Sequence, residues 1–196
     1  AWRPDKAHAL ENPEAYTQWI SKLEEASHLS ITRYDHLLDA LQARHEFFHD
    51  NGCRLSDHGL TCIPPRVTVS HEELSRIFDQ VLRGLQISGA DILAFRYAML
   101  LELARMDYSR GWTMQLHLGA LRNVNSRMFR SLGPDTGFDV IGDWPVAEPL
   151  AGFLDALNAD NSLPKTIMYV LNPKDNEVIA SIAGAFQGDG IPGKIQ

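Results

Sequence analysis

Short apolar runs alternate along this chain with longer stretches whose hydrophobic residues recur every three to four positions, and that alternation is the rhythm of a βα array. TMQLHLGAL (113–121) is the clearest strand. TIMYVLN (166–172) is a second, and CRLSDHGLTCI (53–63), bounded by Gly52 and Pro64–Pro65, is a third. Between them the period is helical. From Pro13 onward Tyr16, Trp19, Ile20 and Leu23 share a face. A second helix, capped by Ser30 or Thr32, lines up Tyr34, Leu37, Leu38, Leu41, His45 and Phe48 until Asn51–Gly52 stops it. Ser70 opens SHEELSRIFDQVL with Glu73 three residues on, which is a capping box, and ADILAFRYAMLLELARMDYSR runs on to Gly111. Helices near 148–159 and 175–186 and a strand-like stub at Lys194–Ile195–Gln196 complete the order.

This reading gives an α/β chain: helix-rich over 7–50 and 70–110, with strands near 53–60, 113–120 and 166–171. The segment RNVNSRMFRSLGPDTGFDVIGDWP (122–145) is too long for a connector, and loops of that length in compact domains are usually functional. With 196 residues, 44% hydrophobic and 22% charged, the composition is that of one ordinary globular unit. A formal charge of −7 argues against nucleic acid or an anionic membrane surface as partner. No apolar run approaches the ~18 residues of a membrane span. The two cysteines, Cys53 and Cys62, form neither a disulfide framework nor a CxxC knuckle, so reduced thiols and a cytoplasmic location are expected. The chain lacks an initiating Met and stops at KIQ, which reads as a segment of a longer protein.

Two motifs invite chemistry. His45-Glu46-Phe47-Phe48-His49 is an HExxH on a helix, a spacing that can place two imidazoles on one zinc ion, so a zinc metallopeptidase is an alternative. Against it, His45 shares the apolar face with Leu41 and Phe48, the posture of a packed core histidine. Gly188-Asp189-Gly190-Ile191-Pro192-Gly193-Lys194 satisfies the strings GxGxxG and GxxxxGK, but it follows a helix and precedes a strand, the reverse of a phosphate loop. Polar residues at strand ends carry more. Asp57 and His58 close CRLSDH and His117 lies within TMQLHLGAL, and in a parallel barrel such ends face the active-site mouth.

The segments WRPDKA, RHEFFHDNGCRLSDHGL and GWTMQLHLGALRNVNSRMFRSLGPDTGFDVIGDWP closely resemble uronate isomerases, and the likeness extends from Trp2 to the final KIQ. The resemblance implies an incomplete segment of a (β/α)8 barrel of the amidohydrolase type with a large helical portion. It implies interconversion of D-glucuronate with D-fructuronate and of D-galacturonate with D-tagaturonate by proton transfer through a cis-enediol. His117, Asp57 and His58 are then the expected catalytic residues. Arg3, Arg122 and Arg127 are expected to bind the substrate carboxylate, which a guanidinium matches bidentately. A divalent metal such as zinc is implied for the full-length enzyme. His117 is the candidate ligand because no HxH occurs in the chain, and no cofactor is expected for this segment alone. A small-molecule sugar acid is the expected partner, with a homo-oligomer as the assembly, and a catalytically inactive fragment is a third description of the chain.

Overall fold

The computed structural model describes residues 1–188 and 190–196. After a single 3-10 turn at Asp5–His8, helix α1 (Pro13–Ser27) starts where Asn12 accepts the Ala15 N–H at 3.0 Å and Pro13 takes the first helical position. Helix α2 (Tyr34–Asp50) begins later than Ser30 or Thr32 would place it. Arg33 is the extended N-cap residue, and the Thr32 hydroxyl sits 3.2 Å from the His36 ring instead of capping. Helix α3 (His71–Leu82) carries the capping box, since Ser70 and Glu73 bond reciprocally. Helix α4 (Gly89–Ser109) is capped by Ser88, which accepts the Asp91 N–H at 3.1 Å.

Strands β1 (Leu55–Leu60), β2 (Thr113–Leu118) and β5 (Lys165–Val170) pair in parallel in the order β1-β2-β5. Helices α3 and α4 connect the first two, and α6 (Ala147–Ala159) lies between the second and third. Parallel bridges extend the sheet at both edges, Trp2 to Ser56 and Ile195 to Thr166, so the KIQ stub does enter the sheet. Among the described residues these pairings form an open, one-directional sheet rather than a closed barrel. The 122–145 segment is not featureless: β3 (Ala120–Leu121) and β4 (Val140–Ile141) pair antiparallel around helix α5 (Ser126–Leu132), and α7 (Asn176–Ala185) follows β5.

Side-chain alternation divides the sheet into two faces. Ser56, His58 and Leu60, then Met114, Leu116 and Leu118, then Thr166 and Met168, are buried. The apolar members pack on Leu100 and Ala104 of α4, on Phe153 and Leu157 of α6, and on Ile179 and Ile182 of α7. A second core joins α1 to α4 around Tyr16, Phe78, Phe95, Trp2 and Trp112. Among the described residues the opposite face, carrying Asp57, Gly59, His117 and Tyr169, has no helix layer over it.

Candidate active site on the open face of the sheet

Register brings the polar strand-end residues together. Gly59 stands opposite His117, which stands opposite Tyr169, so the three side-chain positions share one face at the carboxyl ends of three adjacent strands. The rings of His117 and Tyr169 stack, with centroids 4.4 Å apart and planes within 7°. Asp57, one turn of the pleat below Gly59, holds the cluster. Its Oδ1 lies 2.7 Å from His117 Nδ1, out of line for a linear hydrogen bond, and its Oδ2 is 3.2 Å from Arg3 Nε. Above the strands a cleft of about 360 Å³ is bounded by Gly59, His117, Ala120, Arg122, Tyr169 and Leu171. Arg122 enters it from the β3 end and is held by Asp139, whose Oδ2 is 2.8 Å from Nη1 and whose Oδ1 accepts the Asn123 N–H at 2.8 Å. A larger groove of about 460 Å³ lies between residues 2–6 and helices α1 and α2, and Arg3 and Asp5 line this groove rather than the cleft.

Of the expected site residues, His117, Asp57, Arg3 and Arg122 therefore converge. His58 does not. Adjacent strand residues point to opposite faces, and His58 turns into the helix side with its side chain 1% exposed, where its Nδ1 meets Asp5 Oδ1 at 3.1 Å. Arg127 stands exposed on α5 and makes no ion pair among the described residues. Tyr169 and Asp5 belong to the same arrangement, and the strand-end reading passes over both. The Asp5 carboxylate also accepts the Gly59 N–H at 2.8 Å, which ties the segment bearing Arg3 to the end of β1. Burial works to raise the Asp5 pKa, but the hydrogen bond and charge of His58 and the Gly59 N–H outweigh it and hold the carboxyl below its ordinary value.

His8 sits behind this pair, buried, with both ring nitrogens unpaired and its Nε2 4.0 Å from Asp5. Burial lowers its pKa to about 4 against the opposing pull of Asp5. The unfolded chain titrates this residue near the ordinary histidine value of about 6.5, so between those values the unfolded state binds the extra proton and acid destabilises the fold. Replacing His8 with leucine is expected to remove about 2 kcal/mol of the stability lost between pH 7 and pH 4.5. Urea denaturation of both proteins at the two pH values measures it, and equal losses would show that His8 is not the group responsible.

The HExxH residues are committed elsewhere. His45 Nε2 faces Asp107 at 3.1 Å, and His49 Nδ1 accepts the Trp112 indole N–H at 2.9 Å. The His45 ring lies on Trp112 with centroids 3.9 Å apart. Hydrogen bonds from Gln42 and Arg110 hold the Glu46 carboxyl below its usual range, so it is no poised base. The motif clamps an indole, and the peptidase alternative loses its metal site. Among the described residues no three His, Cys, Asp or Glu side chains gather closely enough to hold a metal ion. His117 alone does not make up that number, so the residues present do not fit a metal centre and no step is derived through one. Asp189 of the glycine string lies outside the described residues. Around it, α7 ends at Ala185 and Ile195 pairs with Thr166, so the segment joins a helix to sheet pairing rather than opening a helix toward phosphate.

Over residues 1–196 the chain matches the protein family described as glucuronate isomerase. It is 46% identical over 195 residues to the uronate isomerase of Cellvibrio japonicus, covering all of this chain and 41% of that protein. Among solved structures, the uronate isomerase of Thermotoga maritima superposes with a TM-score of 0.88 at 30% identity, covering 100% of this chain and 41% of that one. The glucuronate isomerase of Caulobacter crescentus gives 0.82 at 28% identity over 94% of this chain and 38% of its own. The chain thus spans about two-fifths of the length of the relatives it matches.

Proposed function

The chain belongs to the glucuronate isomerase family, and on that premise we propose that it supplies part of the active site of an enzyme interconverting aldose and ketose uronates. The substrates are D-glucuronate with D-fructuronate and D-galacturonate with D-tagaturonate. The observation that carries this reading is the Asp57 carboxylate, which faces both His117 and Arg3 on the open face of the sheet, while Arg122 borders the cleft above His117. Moving a proton between C2 and C1 through a cis-enediol needs a group that takes and returns it, and an anchor that fixes the sugar acid. His117 is assigned the proton. With Asp57 beside Nδ1, the Nε2 edge is left for the substrate, and the Tyr169 ring fixes the imidazole plane. Arg3 and Arg122 are assigned the carboxylate.

Supporting a cytoplasmic setting, both cysteines are unpaired thiols. Among the described residues no helix is long and apolar enough to cross a membrane. A divalent cation such as zinc, where the reaction uses one, draws its ligands chiefly from outside this stretch. The complete enzyme is expected to form a homo-oligomer. An open sheet of this extent does not close a barrel, so the 196-residue stretch by itself is expected to show no turnover.

The test is incubation of the protein completed to family length with each uronate, followed by assay of the ketose; absence of ketose from both removes the reading. In the same protein Arg122→Met is expected to raise KM about tenfold or more with kcat within a few-fold, because an ion pair held alike in ground and transition states contributes only to binding. A drop in kcat at constant KM would move Arg122 from binding to chemistry.

A further inference from the structure

We propose that Gly59 determines the preference of this site for an acid over a neutral sugar, and that Asp5 is the positioning residue that maintains it; the proposal rests on the assignment of Arg3 and Arg122 to the substrate carboxylate. Gly59 has an ordinary backbone conformation for a strand, so its lack of a side chain is not explained by a left-handed turn. Space explains it. A Cβ placed on Gly59 would lie 3.0 Å from Arg3 Nη2, 3.6 Å from Asp5 Oδ2 and 3.9 Å from Arg122 Nη2. Two guanidinium groups far apart in the sequence therefore close over one bare Cα, their nearest Nη atoms no more than about 7 Å apart.

Like charges that close repel, and the protein meets each with its own acid: Asp57 on Arg3, Asp139 on Arg122. Asp5 lies between them at Gly59 but has both oxygens engaged, one on the Gly59 N–H and one on His58. In this proposal one carboxylate sits between the two cationic forks, with charge-assisted hydrogen bonds of about 2.8 Å to either side. A neutral hydroxymethyl or carboxamide group in that gap leaves the guanidinium pair without an added negative charge. The glycine sets how closely the forks approach. Asp5 sets where the Arg3 fork starts, because its bond to the Gly59 N–H anchors the residues just after Arg3 to β1. Against burial, the hydrogen bond and charge of His58 and the Gly59 N–H hold the Asp5 carboxyl below its ordinary value, which favours the charged acceptor of this anchor.

The experiment uses the complete family-length enzyme and two probes, D-glucuronate as substrate and D-glucuronamide, its uncharged carboxamide, as competitive inhibitor. Wild type, Gly59→Ala, Asp5→Asn and the control Arg3→Met are compared for KM, kcat and the inhibition constant of the amide. Gly59→Ala is expected to raise KM for the acid about tenfold or more with kcat within about threefold, while the inhibition constant of the amide barely changes, so that discrimination between acid and amide collapses. Asp5→Asn is expected to shift the same ratio in the same direction, and it decides the question if Gly59→Ala fails to fold. A merely structural role would move the melting temperature and affect both probes alike. If Arg3→Met leaves KM unchanged, the carboxylate assignment itself has failed. If Arg3→Met raises KM while Gly59→Ala and Asp5→Asn keep the wild-type ratio, the assignment stands and this proposal is overturned.

Discussion

Asp107→Ala is expected to destabilise the fold by about 3–5 kcal/mol, the largest loss of any single side-chain truncation proposed for this chain. Asp107 lies on α4 with no exposed surface, and both carboxylate oxygens are occupied. Ser56 Oγ donates to Oδ2 at 2.5 Å and His45 Nε2 faces Oδ1 at 3.1 Å. One buried acid thus ties α4 to strand β1 and to helix α2. His45 in turn packs on Trp112 and meets the edge of Trp2 at 5.1 Å, so the acid also orders the aromatic centre of the helical core. Alanine removes the acceptor and leaves a buried hydroxyl and a buried imidazole to be desolvated unpaired. A domain of ordinary stability, ~5–15 kcal/mol, survives such a loss only narrowly, so Asp107→Asn serves as the measurable companion. Its amide keeps one acceptor and replaces the other, charged one with an NH2 donor, with an expected cost of about 1–3 kcal/mol. His45→Gln should cost a similar 1–3 kcal/mol and leave the kinetics of the complete enzyme nearly intact. Urea midpoints for the three variants settle the order, and an Asp107→Ala loss below about 1 kcal/mol would show that the network does not hold these elements together.

That network also marks how far the sequence can be read. The four-residue spacing of His45 and His49 is visible along one helix, but the partner that explains His45 is 62 positions away, and no local pattern announces Asp107. Elements were legible wherever the signal was local: the capping box at Ser70, Pro13 opening α1, and the three strands with apolar cores. At the start of α2, Ser30 and Thr32 have the capping chemistry, but the backbone turns helical only after Arg33. At the site, parity was available and decisive. Asp57 and His58 are consecutive in a strand, so only one can face the cleft, and burial of Ser56 and Leu60 puts His58 with them on the helix side. The same parity singles out Tyr169, between Met168 and Val170, as a partner for His117. Asp5, 53 and 54 positions from its partners, had no such signal.

In the complete enzyme, His117→Asn is expected to lower kcat by about 10²–10⁴, the range associated with losing one positioned proton-transfer group. The substitution is chosen to separate chemistry from packing. Asparagine occupies less volume than histidine but keeps a polar side chain opposite Asp57. Thermal stability should therefore stay close to that of the parent. What asparagine cannot do is accept a proton near neutral pH, and it has no ring for Tyr169 to hold in plane. Arg3 keeps its contact with Asp57 and Arg122 its contact with Asp139, so the carboxylate anchor is left in place and KM should change much less than kcat. The pairing with His45→Gln makes the comparison sharp, because both remove an imidazole that faces an aspartate. One aspartate is sealed inside the helical core and the other lies at the mouth of a cleft. If His117→Asn kept kcat within threefold of the parent while His45→Gln abolished turnover without unfolding the protein, the active site would have to be moved from the open face of the sheet to the helical core.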